Sequence, residues 1–404
     1  MKVKKIFNKR LGVEISQLGF GAMRLPTLES GKIDWALSEK MIDRAYEAGV
    51  NYFDTAHPYH GGESQVFLGE ALKKYPRDSF HFATKLPTWM IKSKESIAGI
   101  FEEQLTNCRM DYFDFYMIHG LGEDRYDLVD QHGIYDYLLE QKKAGRIKFL
   151  GFSYHGNYET FKRLFDNYKW DFAMIQYNYV DDVMLGTGKF YDIMVQHDVP
   201  TMVMAPVRGK FLATPPEAAV AEMQKFAAEQ GQCEVKAGST DGTQGSGAWS
   251  PAAWALRYCM DKPNIAVTLS GMSTMEQVED NIRTFATAPA RLTQAEADML
   301  TRARDIMLAI KTIPCTYCGY CMDCPMGVDI PRCFEVYNQF KLFPNEFRAG
   351  IGYGKLVRDG KGFDKCTGCG VCTPQCPQYI DIPARLGDLD VELEPLRQRF
   401  AASI

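Results

Sequence analysis

The chain is predicted to fold as a parallel (β/α)8 barrel followed by a small, mainly helical domain built around cysteines. Three observations carry this. Eight short apolar, β-rich runs alternate with amphipathic segments of helical length between residues 18 and 286. No G-x-G-x-x-G turn follows the first run, as it would in a doubly wound dinucleotide-binding sheet. Eight of the twelve cysteines form two tight runs beyond residue 314.

The elements are read in order. KKIFNKRLGVEIS, before the first barrel strand, has the pattern of a small hairpin closing the barrel bottom. The strands are then LGFGAM (18–23), NYFD (51–54), HFATK (81–85), FDFYMIH (113–119), KFLGFS (148–153), FAMIQYN (172–178), TMVMAP (201–206) and AVTLSG (266–271). Between them 35–48, 64–75, 95–107, 157–167 and 274–286 are periodic enough to be crossover helices. A further helix over 293–311 leads into Pro314, which places the domain boundary near 312: a barrel over 1–311 and a second domain over 312–404. The stretch 231–248, rich in Gly, Ser and Thr, reads as a mobile loop.

Composition is that of an ordinary globular chain, with 46% hydrophobic and 24% charged residues and a net charge of −5. No basic stripe stands out, which argues against nucleic acid or an anionic membrane as partner. The start has no apolar run of signal-peptide length and no membrane-spanning stretch follows, so a cytoplasmic location with reduced thiols is expected.

Under those conditions the cysteine runs are not disulfide frameworks. They comprise Cys315, Cys318, Cys321 and Cys324, then Cys366, Cys369, Cys372 and Cys376. The second reads C-x2-C-x2-C-x3-C-P, the run by which bacterial ferredoxins hold a 4Fe–4S cluster. Structural zinc takes two C-x2-C hooks separated by a longer loop, whereas here four thiols crowd into each short run. The first run departs by one residue, with two rather than three before its last cysteine. Cys108, Cys233, Cys259 and Cys333 stand alone and read as small buried hydrophobes.

Polar residues close the strands with regularity: Asp54, Lys85, His119, Ser153, Gln176 and Ser270. In a (β/α)8 barrel the active site is built at the C-terminal ends of the strands. Asp54, Tyr59, Lys85 and His119, within FDTAHPYHGGES, ATK and YMIH, resemble the Asp–Tyr–Lys–His tetrad of the aldo-keto reductase family, and the likeness covers about residues 5–310. The resemblance implies hydride transfer from a nicotinamide nucleotide, NADP or NAD, to a small aldehyde or ketone, with Tyr59 as proton donor. Tyrosine, with an ordinary pKa of about 10, needs help to act near neutrality, which a buried Lys85 beside it would give. Asp54 would keep Lys85 charged, and His119 would orient the carbonyl.

The resemblance also implies a cofactor site. Ser153 and Gln176 match positions that hold the nicotinamide amide, Asn281 one that binds the adenine end, and Met23, Arg24, Met204, Ala205, Gly271, Ser273 and Gln277 fall in the same set. Tyr154 stands where the family usually has asparagine, Met204 where it has a stacking aromatic, and Gln277 where it often has a base for the 2′-phosphate. Free amides at the helix start near Ser273 and Thr274 are expected to be open to a pyrophosphate. The substrate pocket is expected from Trp89 and Met90, from Leu121 to Tyr126 and from 207–250.

LGFGAMRLP, SGMSTMEQVEDN and CGYCMDCP together resemble the iron–sulfur-containing branch of this family, with a ferredoxin-like C-terminal domain. By analogy with two-cluster ferredoxins, one 4Fe–4S cluster would take Cys315, Cys318, Cys321 and Cys376, and the other Cys366, Cys369, Cys372 and Cys324. Clusters pass single electrons and nicotinamide passes a hydride. A flavin, a redox partner such as ferredoxin or flavodoxin, a purely structural role for the clusters and a nucleotide-binding redox sensor therefore all stay open.

Overall fold

A computed structural model of the chain describes residues 1–231 and 249–401. The loop expected over 231–248, with Cys233, lies almost wholly outside the described residues. Compact packing divides the chain into two units: 1–207 with 224–300, and 208–223 with 301–404. The division falls before the expected boundary near 312, because residues 301–309 of the helix Gln294–Ala309 go with the second unit, as does 208–223.

The first unit opens with the expected hairpin, β1 (Lys5–Asn8) and β2 (Val13–Ser16), paired antiparallel. Eight parallel strands follow: β3 (Leu18–Gly21), β4 (Tyr52–Asp54), β5 (His81–Pro87), β6 (Phe113–Leu121), β7 (Ile147–Tyr154), β8 (Phe172–Gln176), β9 (Thr201–Met204) and β10 (Ile265–Gly271). They close in the order β10-β3-β4-β5-β6-β7-β8-β9. All eight expected strands are present. Three end early: Ala22–Arg24 leaves β3 as a 3-10 turn, β8 stops before Tyr177, and β9 stops where Ala205 takes a left-handed φ of 52°.

Two apolar layers result from strand alternation, which sends successive side chains to opposite faces. Tyr52, Ala83, Phe115, Met117, Phe172, Met174, Met202, Val267 and Leu269 fill the barrel. Phe53, Phe82, Leu86, Tyr116, Ile118, Ala173, Ile175 and Val203 face the surrounding helices. Leu11 and Ile15 of the hairpin join the interior layer and plug its base. Continuing the inward series two residues toward each strand's C-terminus gives Asp54 after Tyr52, Lys85 after Ala83, His119 after Met117 and Gln176 after Met174. The fold thus converts a period of two into one polar layer above an apolar floor.

The second unit is helical around its own core, which includes Val328, Ile330, Phe334, Tyr353, Ile382, Leu386, Leu389 and Leu393. Helices Ile330–Leu342 and Ile382–Arg399 start alike: each cysteine run ends in C-P-x3-D-I-P, at Cys324 to Pro331 and at Cys376 to Pro383. Asp329 and Asp381 cap the two helices, accepting from the backbone N–H of Arg332 and Ala384. The following proline sits in the first turn, where a missing N–H costs nothing. Between them lies helix Glu346–Arg358, capped by Asn345.

Candidate functional site

At the C-terminal end of the barrel, Lys85 Nζ donates to Asp54 Oδ1 at 2.6 Å and to the Thr55 carbonyl at 2.8 Å, and both side chains of the pair are buried. Burial pulls Lys85 down and pushes Asp54 up from their ordinary values, and each opposes the other's shift across the contact. The ammonium lies 5.0 Å from the centre of the Tyr59 ring, and Tyr59 stands edge-on to His119 with centroids 6.3 Å apart. All four tetrad residues therefore converge. His119 is held well below the usual histidine range, first by burial and then by the charge of Lys85 and by His155, Arg125 and His57. It is a neutral ring with one N–H to give.

The elements carrying these groups are fixed from behind by residues that strand-end reading does not reach. Gln104, on helix Lys94–Cys108, donates to the Lys85 carbonyl at 2.9 Å and accepts from the Tyr116 hydroxyl. Thr88 donates to the His119 carbonyl at 2.9 Å. Trp89, 37% exposed, packs on His119 with centroids 5.0 Å apart, and the Arg125 guanidinium lies 5.4 Å from the Trp89 ring. Of the expected pocket residues, Trp89 and Arg125 thus stand by the tetrad, whereas 208–223 belongs to the second unit and 232–248 lies outside the described residues.

The residues matched to a cofactor fall in two groups on the same barrel face. Ser153 accepts from the Gly120 N–H at 2.9 Å, and Gln176 donates to Asp181 at 2.7 Å. Asn178 donates to the same Asp181 oxygen at 2.6 Å and to the Ala205 carbonyl at 3.1 Å, tying the ends of β8 and β9. Met204 pairs with Gln176 in register. In the second group, Asn281 donates to Ser270 at 2.8 Å, and Ser273 donates its hydroxyl to the Arg24 carbonyl at 2.7 Å. Gly271 lies against Arg24, where a Cβ would meet Arg24 Cγ at 2.7 Å. Met23 precedes Arg24 on the 3-10 turn.

Two of the positions have local partners. The helix start near Thr274 is already capped, since the Thr274 hydroxyl accepts from the Gln277 N–H and the Gln277 side chain accepts from the Ser273 N–H at 2.7 Å. Tyr154, at the family's asparagine position, turns away from the barrel interior: its ring packs on Phe152, Phe161 and Phe190, and its hydroxyl reaches the Asn157 carbonyl.

In the second unit, none of the eight cysteines of the two runs is in a disulfide. Cys324 joins Cys366, Cys369 and Cys372 in lining one hollow, walled also by Met326, Val328, Ile330, Pro383 and Leu386. Cys321 lies within electrostatic reach of Cys315, Cys318 and Cys376. The last cysteine of each run thus sits with the first three of the other. Among the described residues no three His, Cys, Asp or Glu side chains converge on a single ion.

Comparisons with known proteins agree with this division. Residues 17–305 match the model of the aldo/keto reductase family, and residues 314–381 match that of a 4Fe-4S dicluster domain. An uncharacterized oxidoreductase of Bacillus subtilis, YqkF, is 26% identical over 303 residues, covering 71% of this chain and 92% of its own length. Among solved structures, aldo-keto reductase AKR11C1 from Bacillus halodurans, in its holo form, superposes with a TM-score of 0.58 at 24% identity, covering 74% of this chain and 96% of its own. An aldo-keto reductase from Klebsiella pneumoniae in complex with NADPH superposes with a TM-score of 0.57 at 17% identity, covering 75% and 95%. No helix among the described residues is long and apolar enough to cross a membrane.

Proposed function

The chain belongs to the aldo/keto reductase family and carries a 4Fe-4S dicluster domain at its C-terminal end, and from that premise we propose that its barrel reduces a small aldehyde or ketone, with Tyr59 giving the proton. The observation that carries this is the fixed ammonium beside the phenol ring: Lys85, bound to Asp54 at 2.6 Å, lies 5.0 Å from the centre of Tyr59. A nicotinamide nucleotide supplies the hydride when bound, and the NADPH held by the Klebsiella relative supports that class of cofactor. The carbonyl oxygen gains negative charge as it is reduced. Lys85 favours the phenolate and so makes Tyr59 a stronger acid, and Asp54 opposes loss of the lysine's own proton. His119, held neutral, donates its N–H to the carbonyl oxygen and orients it without competing as proton donor. Ser153 and Gln176 would hold the carboxamide, and Asn281, with Arg24, Ser273 and Gln277, the adenosine end.

We also propose two 4Fe–4S clusters with crossed ligands, Cys315, Cys318, Cys321 and Cys376 holding one, and Cys366, Cys369, Cys372 and Cys324 the other. The functional modules then meet near residue 312, and the reduced thiols fit a cytoplasmic protein. A second reading, a ferredoxin- or flavin-linked oxidoreductase fed through the clusters, is favoured by one observation: Cys369 is exposed, which would bring its cluster near a partner. Titration with NADH, NADPH and reduced ferredoxin, after cofactor analysis, separates the two. Tyr59→Phe is expected to abolish carbonyl reduction and leave nucleotide affinity within about twofold, since it removes the proton and little volume. Retained turnover would sink the role given to Tyr59.

A further inference from the structure

The chain leaves the barrel after β9 through a loop that is held at both ends. Between Val207 and Arg208 it passes from the first compact unit into the second. On the barrel side Met204 pairs with Gln176 in register, the Met204 carbonyl accepts from the Tyr177 N–H at 3.3 Å, and the Ala205 carbonyl accepts from Asn178 at 3.1 Å. On the other side Gly209 lies on the first cysteine run, where a Cβ would meet the Thr316 carbonyl oxygen at 2.9 Å and the Thr316 Cα at 3.6 Å. Lys210 follows, ion-paired with Glu335 and with its ammonium 5.9 Å from the centre of the Tyr317 ring.

Only Pro206 and Val207 separate Ala205 from Arg208. Two residues span about 7 Å at full extension, and the proline ring fixes one of their φ angles. Around them the backbone is left-handed three times in five residues, at Ala205 (φ 52°), Arg208 (φ 48°) and Gly209 (φ 71°). Alanine and arginine keep such a conformation only where their surroundings impose it. The connector is therefore short and strained, with no slack to absorb a shift at either end. The run beneath Gly209 is ordered around its first sulfur: Tyr317, at φ 56°, gives its N–H to Cys315 Sγ at 3.4 Å. Asn338 donates to the Tyr317 hydroxyl at 3.1 Å and bonds both the N–H and the carbonyl of Ile313 at 2.8 Å. Cys315 and Cys318 bracket Thr316, so whatever holds those two sulfurs also holds the carbonyl on which Gly209 rests.

We propose that this loop couples the first cluster to the nicotinamide end of the nucleotide site, so that the chain binds nucleotide tightly only while that cluster is intact. The proposal rests on the nucleotide site and the first 4Fe–4S cluster read above, and names how that site is regulated. Loss of iron releases Cys315 and Cys318, and Thr316 no longer fixes Gly209. The strained segment from Ala205 to Arg208 then relaxes, which shifts Met204 and the carbonyl that Asn178 holds. No electron has to pass for this to happen. Coupling of this kind is reciprocal, so bound nucleotide stabilises the cluster by the same factor.

The test reads nucleotide affinity and iron content, not turnover. NADPH and NADH are titrated calorimetrically, without oxygen, into the full chain and into two variants that each empty one cluster. Cys318 and Cys369 serve different clusters whichever way the last cysteines are shared. Cys318→Ala is expected to weaken nucleotide binding at least about fivefold, the low end of typical couplings between sites, and Cys369→Ala to leave it within about twofold. Saturating nucleotide should tighten the first cluster's hold on iron by the same factor, read as iron lost to a chelator at equilibrium. Gly209→Ala separates coupling from collapse of the second unit. It should keep about eight irons, bind nucleotide as weakly as Cys318→Ala does, and lose nothing more when the two substitutions are combined. Equal affinity in the parent and in Cys318→Ala, equal losses in Cys318→Ala and Cys369→Ala, or parent affinity in an iron-loaded Gly209→Ala overturns the proposal and leaves the nucleotide site standing. A parent chain that binds neither nucleotide overturns the site itself, and the coupling with it.

Discussion

At the scale of single residues, the site is organised by which groups are denied charge. His119 is buried beside a lysine and faces an arginine across a tryptophan, and both the burial and the two charged neighbours disfavour a second positive charge. His155 is treated similarly: burial and then Arg125 bring its ring down to about 4 from an ordinary 6.5. This has a sign for stability. Above pH 6.5 the ring is neutral in both the folded and unfolded chain. As pH falls below that, the unfolded ring takes a proton that the folded one refuses, so stability is lost progressively down to about pH 4. His119 adds a loss of the same sign. His155→Asn is therefore expected to flatten the dependence of unfolding free energy on pH by about one proton within that window, measured by urea denaturation at several pH values. An unchanged slope would mean that the folded ring titrates as freely as the unfolded one. Proton bookkeeping of this kind cannot be read from the chain, because it depends on neighbours that are distant in sequence.

At the scale of elements, the strand runs were legible because both faces of a barrel strand are buried and read as continuous apolar stretches. Their ends were less so. β3 stops at Gly21 because Ala22–Arg24 winds into a 3-10 turn, and β8 stops at Gln176 because Asn178 uses its side-chain oxygen to accept from the N–H groups of Val180 and Asp181. Asp54, Lys85 and His119 were legible because they close strands in one polar layer, whereas Tyr59, on the 3-10 turn Tyr59–Gly62, was reached through the family resemblance. Gln104, Thr88 and Asn178 were not, since a buried amide or hydroxyl in an amphipathic helix or loop looks like any other polar residue until its partner is known. In the tail, the repeated C-P-x3-D-I-P run does carry the signal for two equivalent helix starts, and cysteine spacing alone passes over it. Gln104 gives the element-scale test. Gln104→Leu leaves the Lys85 carbonyl and the Tyr116 hydroxyl without their partner. Each unsatisfied group costs about 1–3 kcal/mol, so a clear fall in the urea midpoint is expected. Adding Tyr116→Phe should recover part of it by removing one of the two stranded groups. A double variant no more stable than Gln104→Leu would place the loss elsewhere.

At the scale of the whole molecule, the open quantity is how the two cysteine runs share their ligands, because that decides whether the tail can be assembled piecewise. If each run held its own cluster, either half could fill while the other stayed unfolded. With crossed ligands neither cluster can form until Cys324 and Cys376 have been brought across, so assembly and folding of 314–381 become one event. Cys324 on the hollow of the second run, with Cys376 near Cys321, supports the crossed arrangement. Protein purified without oxygen is expected to hold about eight irons per chain, whereas about two zincs would reject clusters altogether. The pairing is then decided by a double variant. With crossed ligands Cys315 and Cys376 serve the same cluster, so Cys315→Ala with Cys376→Ala should retain about four irons and the spectrum of one intact cluster, while Cys315→Ala with Cys366→Ala should retain none. If each run is self-contained, Cys315→Ala with Cys376→Ala strips both clusters, and Cys315→Ala with Cys324→Ala becomes the pair that keeps four. Each ligand scheme thus spares a different double variant, and an iron count with an absorption spectrum of the three proteins identifies which one the chain uses.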